Sequence, residues 1–428
     1  MMDKVIGILS KYNLCDSCLG RQFATIEIDL TNREKGHILK AATLMIIYEE
    51  IVKGDKEKTS ILKNIVATGF KEAGVLYEKI CEKKKLEKRE CFICKGIMEK
   101  CEDLISDILY LEKIYDFDNF LIGNKVPEDI LYKEDLIRVE FKLKYGESIK
   151  RELNRTFRRI LQNKFGKEYN SSNPDIVIIV NWIKGGYEIQ VSPLYIYGKY
   201  RKYVRGLPQT KWFRKSNLST YKRSIEEIIG KYFLKITEGV SYKFHGGGRE
   251  DVDVRTLGNG RPFILEIMYP RKRHLDLKSI EKRINKYANG LIEVFDLKYS
   301  SKLMVQRIKK MAEISIKTYH AIIDIEGTIS DEDISKIEKT FRNIMIEQWT
   351  PLRVIKRRGN KLRKKQVYNI KAKKISESKL DLLIKCQGGL YVKELIHGDN
   401  DRTKPNISSV IGKKVVKIEL DVVNIEEI

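Results

Sequence analysis

Two cysteine pairs, Cys15-x-x-Cys18 and Cys91-x-x-Cys94, are the first groups along the chain able to do chemistry. Each C-x-x-C turn brings two thiolates to one metal ion, and two such turns complete a tetrahedral four-thiolate zinc site. The pairs lie much farther apart than the roughly 15–20 residues of a compact zinc ribbon, so a folded segment must separate them. Four thiolates leave no open coordination position, which makes such a zinc structural rather than catalytic. A redox-active pair, or simple burial of the thiols, is the other reading of the same residues. Cys81, Cys101 and Cys386 complete a count of seven. That odd number, with no secretory segment in view, fits thiols kept reduced in a cytoplasm.

The next constellation is a glycine-rich segment, His245-Gly-Gly-Gly-Arg-Glu-Asp-Val-Asp-Val-Arg255. No G-K-[ST] follows and no helix opens after the glycines, so a nucleotide-phosphate loop has little support. The segment instead offers Asp251 beside Arg249, and a carboxylate near a cation stays ionised and can act as nucleophile or base. Glu250 and Asp253 are rival carboxylates, and an ordinary acidic turn is the structural alternative. Lys317-Thr-Tyr319 and Gly388-Gly-Leu-Tyr391-Val-Lys393 are expected on two strands, with Tyr391 and Lys393 on one side by alternation. Taken singly, each of these reads as packing.

Charge supplies a third signal. Residues 195–223 hold nine basic and seven aromatic residues and no acid, among them Arg201, Arg205, Lys211 and Trp212. Residues 351–374 hold eleven basic residues and no acid, including Arg357 and Arg358. Cations neutralise phosphates and aromatic faces stack on unpaired bases, a mixture suited to RNA. The 428-residue chain carries 83 Lys+Arg against 59 Asp+Glu, a formal charge of +24, which points to a polyanionic partner. With 42% hydrophobic residues and no apolar run near the ~20 that span a membrane, a disordered chain and a membrane protein are excluded.

These groups need an α+β framework to position them. Residues 1–135 read as largely helical, with amphipathic stretches at 36–53 and 61–81. A strand is expected at 137–143, a helix at 148–165, and a hairpin from 175–181 and 187–191 across Gly185-Gly186. Residues 136–200 thus form one α/β region. Beyond it, 201–428 reads as a strand-rich domain, with helices at 225–236, 277–287 and 331–347 and strands at 261–268, 317–325, 366–373, 380–386 and 414–422.

Together these segments resemble the pseudouridine synthases. Gly248-Arg249-Glu250-Asp251 is similar to that family's Gly-Arg-x-Asp loop. Lys317-Thr-Tyr319 is similar to its Lys-x-Tyr strand, and Gly389-Leu-Tyr391-Val-Lys393 to its Gly-x-Tyr-[Ile/Val]-[Arg/Lys] strand. The runs GREDVDVRTLGNGRPF, RKYVRGLPQTKW, TPLRVIKRR, LYVKELIHGD and CDSCLGRQF resemble more narrowly the archaeal/eukaryotic synthases that modify T-loop uridines of tRNA. Asp401 stands where that family commonly has glycine before Arg-Thr-Lys-Pro, and Lys393 replaces an arginine, removing a bidentate fork but keeping the charge.

The resemblance implies an N-terminal zinc-binding, largely helical region at 1–135, interleaved with a THUMP-like RNA-binding α/β region at 136–200. A mixed-sheet catalytic domain flanked by helices would follow at 201–428. It implies isomerisation of uridines 54 and 55 in the T loop, with the base flipped out for the reaction. Asp251 would be nucleophile or base, Lys393 its ion-pair partner, and Tyr319 would stack on the base and take part in removing the C5 proton. Tyr319, Tyr391, Arg249, Arg201, Arg205, Lys211, Trp212, Arg357 and Arg358 would contact the tRNA. Cys15, Cys18, Cys91 and Cys94 would hold one structural zinc, with no cofactor or metal in the chemical step. The T arm is the implied partner, with no membrane, nucleotide cofactor or obligatory protein partner, and the cytoplasm the implied location. A noncatalytic zinc-containing tRNA-binding or RNA-chaperone protein is the alternative, and it would need none of Asp251, Tyr319 and Lys393.

Overall fold

The computed structural model describes residues 1–26, 29–80, 86–211, 223–356 and 358–426, which divide into two units, Met1–Ser192 and Pro193–Ile428. The first opens with helices α1 (Met2–Lys11), α2 (Asp16–Arg21), α3 (Asn32–Val52), α4 (Lys56–Ala67), α5 (Lys71–Ile80) and α6 (Cys101–Leu109). Thr31 starts α3 with a capping box: its hydroxyl accepts the Glu34 N–H, and Glu34 accepts the Thr31 N–H. Gly69, left-handed at φ +81, ends the apolar repeat after α4, so the single helix expected over 61–81 is two. Cys81 lies outside the described residues. Helices α2 and α3 cross through glycine. A Cβ on Gly20 would fall 1.8 Å from the Asn32 carbonyl oxygen, and one on Gly36 1.8 Å from that of Asp16.

The unit continues with β1 (Asn119–Lys125), α7 (Glu128–Glu140), α8 (Ile149–Phe165), β2 (Glu168–Tyr169), β3 (Ile176–Asn181) and β4 (Tyr187–Val191). Its sheet runs β2-β1-β3-β4. Ser148 caps α8, and β3 and β4 form the expected antiparallel hairpin. The strand expected over 137–143 does not form. Ile130, Glu134 and Ile137 are buried at helical spacing, so the segment continues α7 to Glu140, and its alternation is a short sample of the longer period.

The second unit contains β5 (Leu194–Lys202), α9 (Ile225–Thr237), β6 (Ser241–Gly246), β7 (Arg255–Met268), α10 (Leu277–Ala288), β8 (Ile292–Tyr299), α11 (Lys302–Ile314) and β9 (Ile316–Ile325). It closes with α12 (Asp331–Thr340), β10 (Ile344–Trp349), β11 (Leu362–Ser376), β12 (Lys379–Gln387), α13 (Val392–His397), β13 (Thr403–Lys404), α14 (Ile407–Ile411) and β14 (Val415–Glu426). Nine strands run β13-β10-β11-β12-β9-β14-β7-β5-β8, and β6 pairs with β7. Strand β14 joins the halves, antiparallel to β9 and parallel to β7. One core packs Ala321, Ile323, Leu382 and Leu420 against α12–α14; another packs Ile196, Phe263, Leu265 and Ile267 against α9 and α10. The helix expected over 331–347 stops at Thr340, because Asn343, left-handed at φ +50, turns the chain into β10. No helix of the described residues is long and apolar enough to cross a membrane.

The glycine crossing is testable. Gly20→Ala should destabilise the protein by about 3 kcal/mol, since backbone cannot yield as a side chain can. Gly74, inside α5 with nothing within 4 Å of an added Cβ, should instead gain about 0.5–1 kcal/mol as alanine. Calorimetry showing equal effects at the two sites would contradict the crossing.

Candidate functional site

Between β6 and β7 the chain turns through Gly248, left-handed at φ +93, where a Cβ would fall 2.7 Å from Arg261 Nη1 and 3.1 Å from Lys317 Nζ. Only glycine fits that turn. Glu250 points inward from it. Its buried carboxylate pairs with Arg261 Nε at 2.7 Å and accepts the Tyr200 hydroxyl at 2.9 Å. Gln209 Nε2 donates to the Tyr200 oxygen and to the Gly248 carbonyl, both at 2.9 Å, and Arg261 Nη1 donates to the Gly247 carbonyl at 3.0 Å. Beneath the next residues lies the buried ammonium of Lys202, donating to the carbonyls of Leu207, Asp251 and Val252 at 2.7, 3.1 and 2.9 Å. Burial draws that ammonium down to about 8, so it stays charged at neutral pH.

Asp251 points outward from this clamp, its side chain 36% exposed. Arg353 Nη1 lies 3.0 Å from Oδ1 and Lys393 Nζ 3.6 Å from Oδ2. Lys393 also donates to both oxygens of Asp253 at 2.7 Å. Burial would raise the Asp253 carboxyl, but those bonds hold it below the usual carboxylate range. Arg353 is itself gripped by the buried Glu394, Nε to Oε1 at 2.6 Å. Burial works against its charge, yet Glu394 and Asp251 together hold the guanidinium above its ordinary range.

Lys393 reaches this place from a helix. Gly389, left-handed at φ +87, turns the chain after β12; Tyr391 is the N-cap of α13 and Lys393 lies in its first turn. The strand alternation expected for Tyr391 and Lys393 therefore does not operate. Gln348 of β10 fixes the turn, donating to the Tyr391 carbonyl at 3.0 Å and accepting the Tyr391 N–H at 2.8 Å. The Tyr391 hydroxyl accepts Arg358 Nη1 at 2.9 Å. Tyr319, half-buried on β9, stands opposite Ile384 of β12 and Val422 of β14. Burial pushes its hydroxyl well up, so it is a neutral phenol. Asp401 adopts φ +62 as the third of three left-handed residues with Asp399 and Asn400, a conformation aspartate tolerates better than most side chains.

The remaining basic candidates divide. Arg249 and Arg358 are exposed. Arg201 pairs with Glu293 at 2.7 Å and lies over the Phe295 ring, and Arg205 pairs with Asp421 at 2.8 Å while donating to the carbonyls of Asp253 and Leu420. Both guanidiniums thus brace the protein. Lys211 pairs with Glu227 at 3.5 Å. Trp212 and Arg357 lie outside the described residues. Arg353, Glu394, Gln348 and the Glu250–Arg261 pair escape a sequence reading. Arg353 is hidden inside an acid-free run because its partners come from distant segments, although Glu394 stands next to Lys393 in the motif itself.

In the first unit Cys15 is the N-cap of α2, and the Cys91–Cys94 turn closes with Lys95 N–H on the Cys91 carbonyl at 3.0 Å before left-handed Lys95 and Gly96. Phe92 N–H donates to the Asn13 carbonyl at 2.9 Å, drawing the two turns together. All four sulfurs lie within 4.8 Å of one another, with Cys15 and Cys94 at 3.7 Å. Tetrahedral bonds of ~2.3 Å would set sulfurs about 3.8 Å apart, so the four cysteines can bind one metal ion. Buried Arg21 donates to Cys18 Sγ at 3.3 Å and pairs with Glu134 and Glu152, each at 2.7 Å. Cys101 and Cys386 are buried outside the cluster.

Comparison with known proteins finds relatives of both parts of the chain. Residues 195–426 match the family model described as Pus10, C-terminal, and residues 106–181 match Pus10 THUMP domain, archaeal. The chain is 41% identical to a protein of Thermofilum pendens named tRNA pseudouridine synthase Pus10, covering 100% of this chain and 96% of that one. It is 39% identical to the protein of the same name from Ignisphaera aggregans, covering 100% and 99%. A chain of a solved Cbf5–Nop10–Gar1 complex is similar at 17% identity and TM-score 0.28, over 54% of this chain and 57% of the other. A full-length relationship at this identity, with both family models in chain order, makes this protein a member of the Pus10 family of tRNA pseudouridine synthases.

Proposed function

We propose that the protein converts uridines 54 and 55 in the T loop of tRNA to pseudouridine, with Asp251 as the reacting carboxylate. The observation that carries this reading is the contrast within one loop. Glu250, Lys202 and Gln209 lock the backbone from below, while Asp251 stands half-exposed between the cations of Arg353 and Lys393. A carboxylate so placed is held between two cations and oriented toward whatever enters from solvent.

The reaction breaks N1–C1′, turns the uracil and rejoins it through C5, so the nucleotide must first leave the base stack. Two routes draw on Asp251: attack on C1′ of the detaching nucleoside, or removal of a ribose proton. Both need the same ionised oxygen. Tyr319 stacks on the uracil, and its hydroxyl, a neutral phenol, relays the C5 proton by passing on its own as it takes that one. Arg249, Arg358, Tyr391, Lys211, Trp212 and Arg357 hold the T arm, whereas Arg201 and Arg205, engaged with Glu293 and Asp421, shape the surface that it meets. In the N-terminal part, the four-cysteine cluster holds a structural zinc and the THUMP-like region binds RNA. A tRNA-modifying enzyme of this kind works in the cytoplasm.

The deciding experiment incubates the protein with an unmodified tRNA transcript, without added metal or cofactor, and maps pseudouridine by carbodiimide-blocked primer extension. Stops at 54 and 55 are expected; a transcript left unchanged would overturn the reading.

Substitutions around Asp251 sharpen it. Asp251→Asn removes the charge with little change in shape and should lower turnover at least about a thousandfold while tRNA affinity holds within about twofold. Asp253→Asn should keep turnover within about tenfold. Arg353→Gln and Lys393→Gln should each lower kcat about 10–100-fold with KM nearly unchanged, and Glu394→Gln should follow Arg353→Gln. An inactive Asp253→Asn beside an active Asp251→Asn would move the chemistry two residues along.

The metal has its own test. The full-length Cys91→Ser, Cys94→Ser variant should lose one zinc per chain and unfold at lower temperature, while single-turnover rates at saturating tRNA stay within about threefold. A lost chemical step in a protein that still binds tRNA would contradict a structural zinc.

A further inference from the structure

The second unit holds a cavity of about 680 Å³ between α11 and the strands beside it, outside the Asp251 centre. Its size falls within the range of small-ligand sites. Tyr197, Tyr299, Pro262, Met304, Ile308 and Met311 make its apolar wall. Tyr299 is held rigidly, because its hydroxyl donates to the Arg273 carbonyl at 2.9 Å and accepts the Leu275 N–H at 2.7 Å, yet the residue is 51% exposed. A fixed, half-exposed ring with its hydroxyl engaged elsewhere offers a face for stacking rather than a hydrogen bond.

The charged residues that line the cavity leave one cation over. Its carboxylate, Asp296, is paired with Lys298 at 2.6 Å. Arg307 also lines the cavity, and among the described residues it has no acidic partner. An apolar slot with an aromatic face and an unneutralised guanidinium beside it is complementary to one unpaired nucleotide of an RNA strand, base inside and phosphate outside.

The walls also lead to the catalytic segments. Gly247 borders the cavity four residues before Asp251, at most about 14 Å away along extended chain. Ser315 borders it too, and its carbonyl accepts the Gly388 N–H at 2.7 Å where the chain turns toward Tyr391 and Lys393. We infer that this cavity seats a second, unpaired nucleotide of the same tRNA while the target uridine lies at Asp251. The inference rests on tRNA being the substrate. The apolar wall carries little hydrogen-bond readout, so the site recognises a base as a flat face and accepts more than one base identity.

The test uses full-length protein and a panel of tRNA transcripts, each with one abasic site at an unpaired position other than the target uridines. Met304→Trp fills the cavity from its wall. Ser301→Trp fills it from an exposed N-cap position that makes no capping hydrogen bond, so it folds even where the first variant does not. One abasic position should raise the wild-type KM about tenfold with kcat little changed. Either tryptophan variant should raise KM about as much on the intact transcript and lose less than about twofold more from that abasic site, since the two changes remove one interaction. Arg307→Gln should raise KM about threefold and reduce the salt slope of binding by about one. Normal wild-type turnover with no abasic position affecting KM, or effects that multiply in the tryptophan variants, would overturn the cavity site alone. No pseudouridine from wild-type protein on the intact transcript would overturn the underlying reading and the site with it.

Discussion

A single buried ion pair, Glu250 with Arg261, sets the shape of the loop that presents Asp251. Both side chains are essentially inaccessible, and taking two charges out of water is costly unless each finds further partners. They do: the Tyr200 hydroxyl, itself held by Gln209, donates to the carboxylate, and the Gly247 carbonyl takes one guanidinium N–H. Breaking one partner of such a network leaves an uncompensated charge, which penalises other conformations of the loop. Lys202 extends the same logic to the following residues by holding three carbonyls at once.

The consequence is a division of labour between neighbouring carboxylates. Glu250 faces the core and anchors; Asp251 faces out between Arg353 and Lys393; Asp253, more exposed still, shares Lys393. Arg353 in turn depends on Glu394, so the segment before β11, the loop after β6 and helix α13 meet in one electrostatic arrangement. The first unit uses a similar device. Arg21, buried with Glu134 of α7 and Glu152 of α8, ties the turn that bears Cys18 to two helices of that unit.

Much of this was legible in the sequence where the signal is local. Paired C-x-x-C turns announce a shared four-cysteine cluster, apolar positions at helical spacing announce the helix over 148–165, and Gly185-Gly186 a hairpin. The short motif Gly248-Arg249-Glu250-Asp251 makes Asp251 visible as a candidate. Long-range pairing was not legible. A run free of acids gives no hint that Arg353 bonds Asp251 and Glu394, or that Lys202 is buried on carbonyls instead of facing phosphate. Period also misled where the sample was short: 137–143 alternates, yet belongs to α7. A helix drawn through 331–347 hid β10, and with it Gln348, because the left-handed turn at Asn343 carries no glycine to mark it.

Glu250 and Arg261 act as one unit, and a double-mutant cycle measures that directly. Glu250→Leu, Arg261→Met and the double variant would be compared for unfolding free energy and for pseudouridine formation on tRNA. Each single change should cost about 3–5 kcal/mol, and the double clearly less than their sum, with turnover recovering in parallel. Additive losses would mean that the two residues act independently, and the loop that carries Asp251 would need another anchor.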